Sequence, residues 1–237
     1  MVKLSVNVNK IATLRNARAN NVPNLLSAVD SIIKFGAHGI TVHPRPDQRH
    51  ITQKDVLDLA RVIKDPIEFN IEGYPSEDFI KLVLRAKPTQ VTLVPDKPGV
   101  LTSLEGWDTV KEKKILSNVI NIFNSHSIRT AVFIYPDARM VEGASKLNAD
   151  RIELFTGLYA QSVSSNIIMK KYVESSKLAH NLDMGVNAGH DLNLENLAFF
   201  TKKIPFLDEV SIGHALISES LFLGLENTVS MYNRILA

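Results

Sequence analysis

TAVFIYPDARMVEGASKLNADRIELF, residues 130–155, contains the pattern on which the fold of this chain depends. Its two runs of apolar and β-branched residues, Thr130–Tyr135 and Arg151–Phe155, predict two strands that are buried on both faces. Asp137 lies near the start of the segment between the two runs, and aspartate is a residue type that caps helix N-termini. We therefore expect a strand, a helix and a second, parallel strand.

The same alternation of strand and helix patterns recurs along the whole chain. The other strand candidates are Val2–Val8, Gly39–His43, Ile67–Glu72, Gln90–Pro95, Met184–Ala188 and Glu209–Gly213. Apolar residues at helical spacing, such as Leu26, Val29 and Ile33, lie between them. Eight such units predict a (β/α)8 barrel, the TIM barrel, as a single α/β domain over residues 1–237.

The alternative fold is a doubly wound open sheet, which usually has fewer strands. It would also need a glycine-rich turn after the first strand, and Asn7-Val8-Asn9-Lys10 is not such a turn. Two connections are longer than usual, namely residues 9–21 and Asp96–Gly106. Long connections that follow barrel strands often cover or build a binding site, so we expect the site there.

The composition excludes several classes of protein. The 237 residues include no Cys, which excludes disulfides, thiolate metal sites and cysteine nucleophiles. The net charge of +2 is too balanced for a dedicated nucleic-acid-binding protein. No apolar run reaches the roughly 18–20 residues that a membrane helix needs. We therefore expect a cytoplasmic enzyme or small-molecule-binding protein with no nucleic-acid or membrane partner.

Polar side chains follow most of the predicted strands, at the end of a barrel where catalysis takes place. These residues are Asn7, Asn9, His43, Arg45, Glu72, Glu153, Asn187, His190 and His214. Glu72 and Glu153 each lie in an apolar strand terminus, so each is either paired with an arginine or raised in pKa. A raised pKa would make either carboxyl group a candidate for acid–base catalysis.

The segment His43–His50 permits three interpretations. It can be a solvated loop, a metal site built on His43, Asp47 and His50, or an anion site. Its two arginines favour the anion site, because guanidinium groups bind phosphate and repel divalent cations.

Further phosphate-binding features occur at both ends of the chain. Ser211–Leu216 predicts a strand, a glycine turn and a helix start, where backbone N–H groups bind phosphate. Arg15 and Arg18 either add positive charge from the first loop or form a basic helix face. Lys10 and Lys97 are predicted to lie in loops, which argues against a lysine Schiff base. The residues thus predict a barrel enzyme that acts on phosphorylated small molecules by acid–base catalysis, without a metal.

Four segments of the chain closely resemble the pyridoxine 5′-phosphate synthase family of the deoxyxylulose-dependent vitamin B6 pathway. They are Asn7–Arg18, Gly39–Ile51, Val186–His190 and Ile212–Ala215. The resemblance runs from about Leu4 to the last helix. It implies a (β/α)8 barrel that condenses 1-deoxy-D-xylulose 5-phosphate with 3-amino-2-oxopropyl phosphate. The implied products are pyridoxine 5′-phosphate, inorganic phosphate and water, with no metal or organic cofactor, in a homo-octamer.

The resemblance also implies roles for particular residues. His43 and Glu72 would accept protons, His190 would donate one, and Glu153 would stabilise developing charge. The aminoketone phosphate would be held by Asn7, Arg18, Asp191, Gly213 and His214. The deoxyxylulose phosphate would be held by Asn9, Lys10, Arg45, His50 and Thr102. Two sites depart from the family's pattern: many members have Asp-His where this chain has Asn9-Lys10, and glycine is common at Asp191.

Two other functions fit the same residues. One is a different phosphosugar isomerase or aldolase, and the other is a non-catalytic barrel that binds a phosphorylated ligand. The apolar residues Leu221, Phe222 and Leu223 either face a partner subunit or pack on the barrel.

Overall fold

The computed structural model of the chain describes residues 1–18, 20–96, 105–163 and 165–237. Its strands are β1 (Lys3–Asn7), β2 (Gly39–Val42), β3 (Glu68–Gly73), β4 (Gln90–Leu93), β5 (Arg129–Ile134), β6 (Arg151–Phe155), β7 (Gly185–Gly189) and β8 (Leu207–Ile212). Each strand pairs in parallel with the next, and β8 pairs with β1 to close the barrel. The predicted (β/α)8 fold is confirmed.

Helices connect the strands on the outside of the barrel. Within the described residues they are α1 (Asn9–Asn16), α2 (Leu25–Lys34), α3 (Gln53–Val62), α4 (Glu77–Ala86), α5 (Lys113–Ser125), α6 (Ala138–Lys146), α7 (Gly157–Ala160), α8 (Asn166–Asn181), α9 (Leu197–Lys203), α10 (His214–Leu223) and α11 (Leu225–Leu236). Asp137 caps α6 by accepting a hydrogen bond from the Arg139 backbone N–H, as its position predicts. No helix in this part of the chain is long and apolar enough to cross a membrane.

The first connection differs from the expectation of a long loop. Residues Asn9–Asn16 form helix α1, so Lys10 lies on a helix and not in a loop. The helix has only two buried residues, Ile11 and Ala12, so its apolar pattern in the sequence is weak. Lys97 and most of the second long connection lie outside the described residues.

The interior of the barrel is polar, whereas continuous apolar strands were expected. Side chains alternate between the two faces of a strand, and in β1 Leu4 and Val6 alternate with Ser5 and Asn7. The apolar residues join the main hydrophobic core, which lies between the barrel wall and the helices. Polar side chains occupy the inside, so buried hydrogen bonds replace the usual layers of branched apolar residues.

Four strands contribute to one hydrogen-bonded layer inside the barrel. The hydroxyls of Ser5 and Thr41 lie 2.6 Å apart, and the Asn70 amide donates to Thr41 at 3.3 Å. The Thr92 hydroxyl donates to the side-chain oxygen Asn70 Oδ1 at 3.1 Å. All four side chains are at most 2% exposed, so these contacts satisfy groups that water cannot reach. The layer forms the floor beneath the carboxyl ends of the strands.

Candidate active site

Glu72 lies at the end of β3, buried at the mouth of the barrel. Asn7 Nδ2 and Ser211 Oγ approach its two carboxylate oxygens at 3.4 Å each. Burial raises the pKa of Glu72 well above its usual value, and the nearby carboxylates of Glu153 and Asp96 raise it further. Of the two predicted alternatives, the raised pKa applies. Burial and the neighbouring charges therefore favour the protonated form of this carboxyl group.

His43 lies directly after β2, and its Nδ1 is 3.8 Å from Glu72 Oε2. Burial lowers the pKa of His43 well below its usual value, and the positive charges of Arg45 and Arg49 act in the same direction. Burial thus favours the neutral imidazole and the protonated form of the carboxyl group opposite it. This pair can accept one proton and donate another without any net change in charge.

Glu153 is a second buried carboxyl group, on β6. Burial raises the pKa of Glu153 to about 8, Glu209 raises it as well, and a hydrogen bond with Thr92 opposes them. The group needs Gly189 on the neighbouring strand, because a Cβ at that position would lie 2.5 Å from Glu153 Oε1. Any side chain at position 189 would therefore collide with the Glu153 carboxyl group.

His190 and Asp191 form the turn that follows β7. Both have positive φ angles, 93° and 57°. The Asp191 carboxylate approaches His190 Nδ1 at 3.0 Å, and the imidazole packs edge-on against Phe155 with ring centroids 5.0 Å apart. The Asp191 side chain is thus directed at His190, which makes its carboxylate an unsuitable ligand for phosphate.

Asn7 and Asn9 position the acid–base residues. Asn7 Oδ1 accepts a hydrogen bond from the Asn9 backbone N–H at 3.1 Å, while its Nδ2 faces Glu72. Asn9 Oδ1 accepts from the His43 backbone N–H at 3.0 Å. The first turn after β1 is therefore tied to both members of the His43–Glu72 pair.

A cluster of cationic residues lies beside this pair. Burial lowers the pKa of His50 to about 4, and the charges of Arg45, Arg49 and Lys10 contribute to that shift. The structure therefore brings Lys10, Arg45 and His50 together, as expected for an anion site. Arg45 also donates to Asp96 at 2.8 Å, an acidic residue that the sequence reasoning did not assign to the site.

The two arginines near the first connection have different surroundings. Arg15 forms two hydrogen bonds with Asp55, at 2.6 and 2.9 Å, so its charge is neutralised there. Of the two alternatives for Arg15, this pairing argues against a contribution of positive charge to the mouth. Arg18 is exposed just after α1 and remains available to a ligand at the rim.

Gly213 and His214 join β8 to the start of α10. A Cβ on Gly213 would lie 2.9 Å from the Asn7 Cβ, so these two residues are in direct contact. The backbone N–H groups at the start of α10 thus open beside Asn7, where an anion can bind. His214 is exposed at the same place. Thr102, the remaining predicted ligand, lies outside the described residues.

The less favoured alternative for the segment His43–His50 is a metal site built on His43, Asp47 and His50. Among the described residues no group of three or more His, Asp or Glu side chains is arranged to hold a metal ion. The cationic cluster around His50 instead provides the features of an anion site.

Almost the whole chain matches a known protein family. The family model described as the pyridoxal phosphate biosynthesis protein PdxJ matches residues 4–237. The chain belongs to the PdxJ family.

The chain aligns over its whole length with two relatives of similar length. It is 54% identical over 239 residues to the pyridoxine 5′-phosphate synthase of Christiangramia forsetii, covering 100% of both chains. It is 55% identical over 238 residues to the pyridoxine 5′-phosphate synthase of Bacteroides fragilis, again covering 100% of both.

Solved structures resemble the PdxJ family chain in fold alone. Phosphoribosyl anthranilate isomerase from Thermus thermophilus has a TM-score of 0.61 at 10% identity, covering 99% of this chain and 100% of that one. Tryptophan synthase subunit alpha from Campylobacter jejuni has a TM-score of 0.62 at 13% identity, covering 99% and 95%.

Several residues that contact the candidate active site were not predicted from the sequence. Thr92 contacts Glu153, Ser211 contacts Glu72, and Asp96 pairs with Arg45. Asp96 lies just after β4, so the rule that selected polar residues at strand ends could have found it. Thr92 and Ser211 lie within strands, where a small hydroxyl side chain gives no sign of a catalytic neighbour.

Proposed function

We propose that this chain condenses 1-deoxy-D-xylulose 5-phosphate with 3-amino-2-oxopropyl phosphate and closes the pyridine ring of pyridoxine 5′-phosphate. Inorganic phosphate and water are the other products. One observation carries the proposal: His43 Nδ1 lies 3.8 Å from Glu72 Oε2 at the mouth of the barrel, where burial favours the neutral form of both groups. Condensing an amine with a ketone requires both kinds of group at one place.

His43 begins the reaction in this proposal. An amine attacks a carbonyl carbon only as the free base, so the substrate ammonium group must first lose a proton. Neutral His43 accepts it. After the attack, the carbonyl oxygen departs as water with one proton from the attacking nitrogen and one from protonated Glu72. The Glu72 carboxylate then accepts a later proton. The raised pKa of Glu72 suits this sequence because it makes the carboxylate a stronger base than an exposed one.

His190 and Glu153 act at later steps in the same proposal. His190 donates a proton during ring closure, and its position against Phe155 limits how the imidazole turns. Glu153 stays neutral in the buried mouth and stabilises developing charge through a hydrogen bond. Each positioned acid or base contributes on the order of 10²–10⁴-fold to such a step.

Two anionic substrates need two binding regions. We assign the deoxyxylulose phosphate to Asn9, Lys10, Arg45, His50 and Thr102, and the clustered charges of Lys10 and Arg45 around His50 support that assignment. We assign the aminoketone phosphate to Asn7, Arg18, Asp191, Gly213 and His214. At Asp191 the backbone N–H makes the phosphate contact, because the carboxylate faces His190.

A two-substrate assay tests the proposed reaction. Purified protein, both phosphates and a chelator are mixed, and pyridoxine 5′-phosphate is followed by mass spectrometry alongside released phosphate. We expect the two products in equal amounts, and neither product when one substrate is omitted. Turnover of a single phosphosugar would instead indicate an isomerase or aldolase. Binding of both substrates without any product would indicate a phosphate-binding barrel without this activity.

We also propose that the chain forms a homo-octamer in the cytoplasm, where phosphorylated intermediates that cannot cross membranes are made and used. The apolar residues of α10 are spread around the helix, and only Leu216 is buried. Leu221 and Phe222 are 75% and 89% exposed, so they do not pack on their own barrel. A helix that is apolar on all sides is typically buried by other protein, here a second copy.

Replacing Phe222 with aspartate is expected to reduce the assembly to smaller species, because a charge would be buried at the interface. Light scattering coupled to size-exclusion chromatography measures the molar mass. Phe222→Leu keeps an apolar side chain and should keep the wild-type mass. An unchanged mass for Phe222→Asp would remove α10 from the interface.

A further inference from the structure

Thr156 directly follows β6 and is completely buried. Its hydroxyl lies within hydrogen-bond distance of two carbonyl oxygens, that of Gly189 at 2.7 Å and that of His190. Its backbone N–H also donates to the Gly189 carbonyl, at 2.9 Å. Thr156, between β6 and α7, thus contacts the two carbonyl groups that flank the His190 Cα.

The backbone of His190 needs such support. Its φ of 93° lies in a region that residues with a Cβ rarely adopt. Unfavourable backbone conformations of this kind persist when the surrounding structure fixes them. The next carbonyl, that of Asp191, accepts from Asn196 Nδ2 at 3.0 Å, so hydrogen bonds hold three successive carbonyl groups in this turn.

The direction of the imidazole depends on this turn. His190 Cβ projects from a Cα whose neighbouring peptide planes are fixed by Thr156, and the ring then packs against Phe155. Phe155 and Thr156 are consecutive, and Glu153 lies two residues before Phe155 on the same strand. One short segment therefore positions two of the proposed acid–base groups.

We infer that Thr156 is a positioning residue, which holds the backbone of His190 in its left-handed conformation and so aims the imidazole at the substrates. The inference rests on the proposed function for the role of His190. The hydroxyl proton is the essential part, because valine has the same shape as threonine but donates no hydrogen bond.

Kinetics of matched variants test the inference. Thr156→Val is expected to lower kcat by about 100-fold, because small displacements of a catalytic group have effects of that size. The KM values should change little, since the proposed phosphate ligands are elsewhere. Thr156→Ser keeps the hydroxyl and should restore turnover. Thr156→Ala is the second variant that lacks the proton, for use if the valine protein does not fold.

Tyr172→Phe is the matched control. The Tyr172 hydroxyl donates to the Phe155 carbonyl at 2.6 Å in a buried setting, one residue from Thr156. Its removal deletes the same kind of hydrogen bond without touching the His190 turn, so turnover should remain close to that of the wild type. If Thr156→Val and Tyr172→Phe lose the same amount of activity, the inference is overturned.

Nuclear magnetic resonance of labelled histidine supplies a readout that is independent of activity. The His190 imidazole signal, assigned with His190→Ala, should move in Thr156→Val and stay in place in Tyr172→Phe. An unmoved signal in Thr156→Val would also overturn the inference. Full activity of His190→Ala would contradict the proposed role of His190 instead, and the imidazole signal would still decide whether Thr156 positions it.

Discussion

Glu72→Gln is expected to lower kcat by about 10²–10⁴-fold, the range for loss of one acid–base group. Glutamine has the same shape and retains hydrogen-bonding capacity towards Asn7 and Ser211. It cannot donate a proton to a departing oxygen and then accept one. The fold and substrate binding should persist, so the loss should appear in kcat rather than in KM. Steady-state kinetics with both substrates measures it.

Glu209→Gln is the control for this prediction. Glu209 is also buried inside the barrel, where burial raises the pKa of its carboxyl group to about 7. It accepts a hydrogen bond from Asn187 Nδ2 at 3.1 Å and has no proposed role in the reaction. Its replacement should leave kcat within a few-fold of the wild type. Equal losses in both variants would mean that any change in the polar interior impairs the enzyme, and full activity of Glu72→Gln would remove its catalytic role.

The second large expected effect is a loss of turnover at alkaline pH. Burial and the neighbouring Glu209 raise the pKa of Glu153 to about 8, so the proposed neutral form predominates below that pH and is lost above it. We expect kcat to fall by about tenfold per pH unit above about pH 8. The groups that face Glu153 are Thr92 on β4, Glu209 on β8 and Glu72 on β3.

Two variants assign this alkaline decline to Glu153. Glu153→Gln is permanently neutral, so its kcat should be independent of pH over the same range. Glu209→Gln removes a negative charge that raises the pKa of Glu153, so the decline should begin at a lower pH. An alkaline decline that is the same in all three proteins would belong to another group, such as the substrate amine.

Much of the barrel could be predicted because buried strands leave a strong signal. For β6 the predicted bounds, Arg151–Phe155, are those observed, and β7 is displaced by one residue. The helix cap at Asp137 was also predictable, since its side chain accepts a hydrogen bond from a backbone N–H near its own position.

Residues at the mouth of the barrel were predictable from the sequence where they lie at the ends of strands. His43 and Glu72 lie at strand ends, and parallel strands bring their carboxyl ends together. Contacts between distant segments were not predictable, such as the pairing of Arg15 with Asp55, which are 40 residues apart. The direction of the Asp191 side chain likewise depends on a backbone conformation that no local pattern indicates.

The polar lining of the barrel has an evolutionary consequence. Along β1 the outward residues Leu4 and Val6 maintain packing, while the inward residues Ser5 and Asn7 belong to the hydrogen-bonded interior. Selection for stability and selection for chemistry therefore act on alternate positions of the same strand. A lineage can adjust its reaction through inward substitutions while the outer packing that maintains the barrel is inherited unchanged.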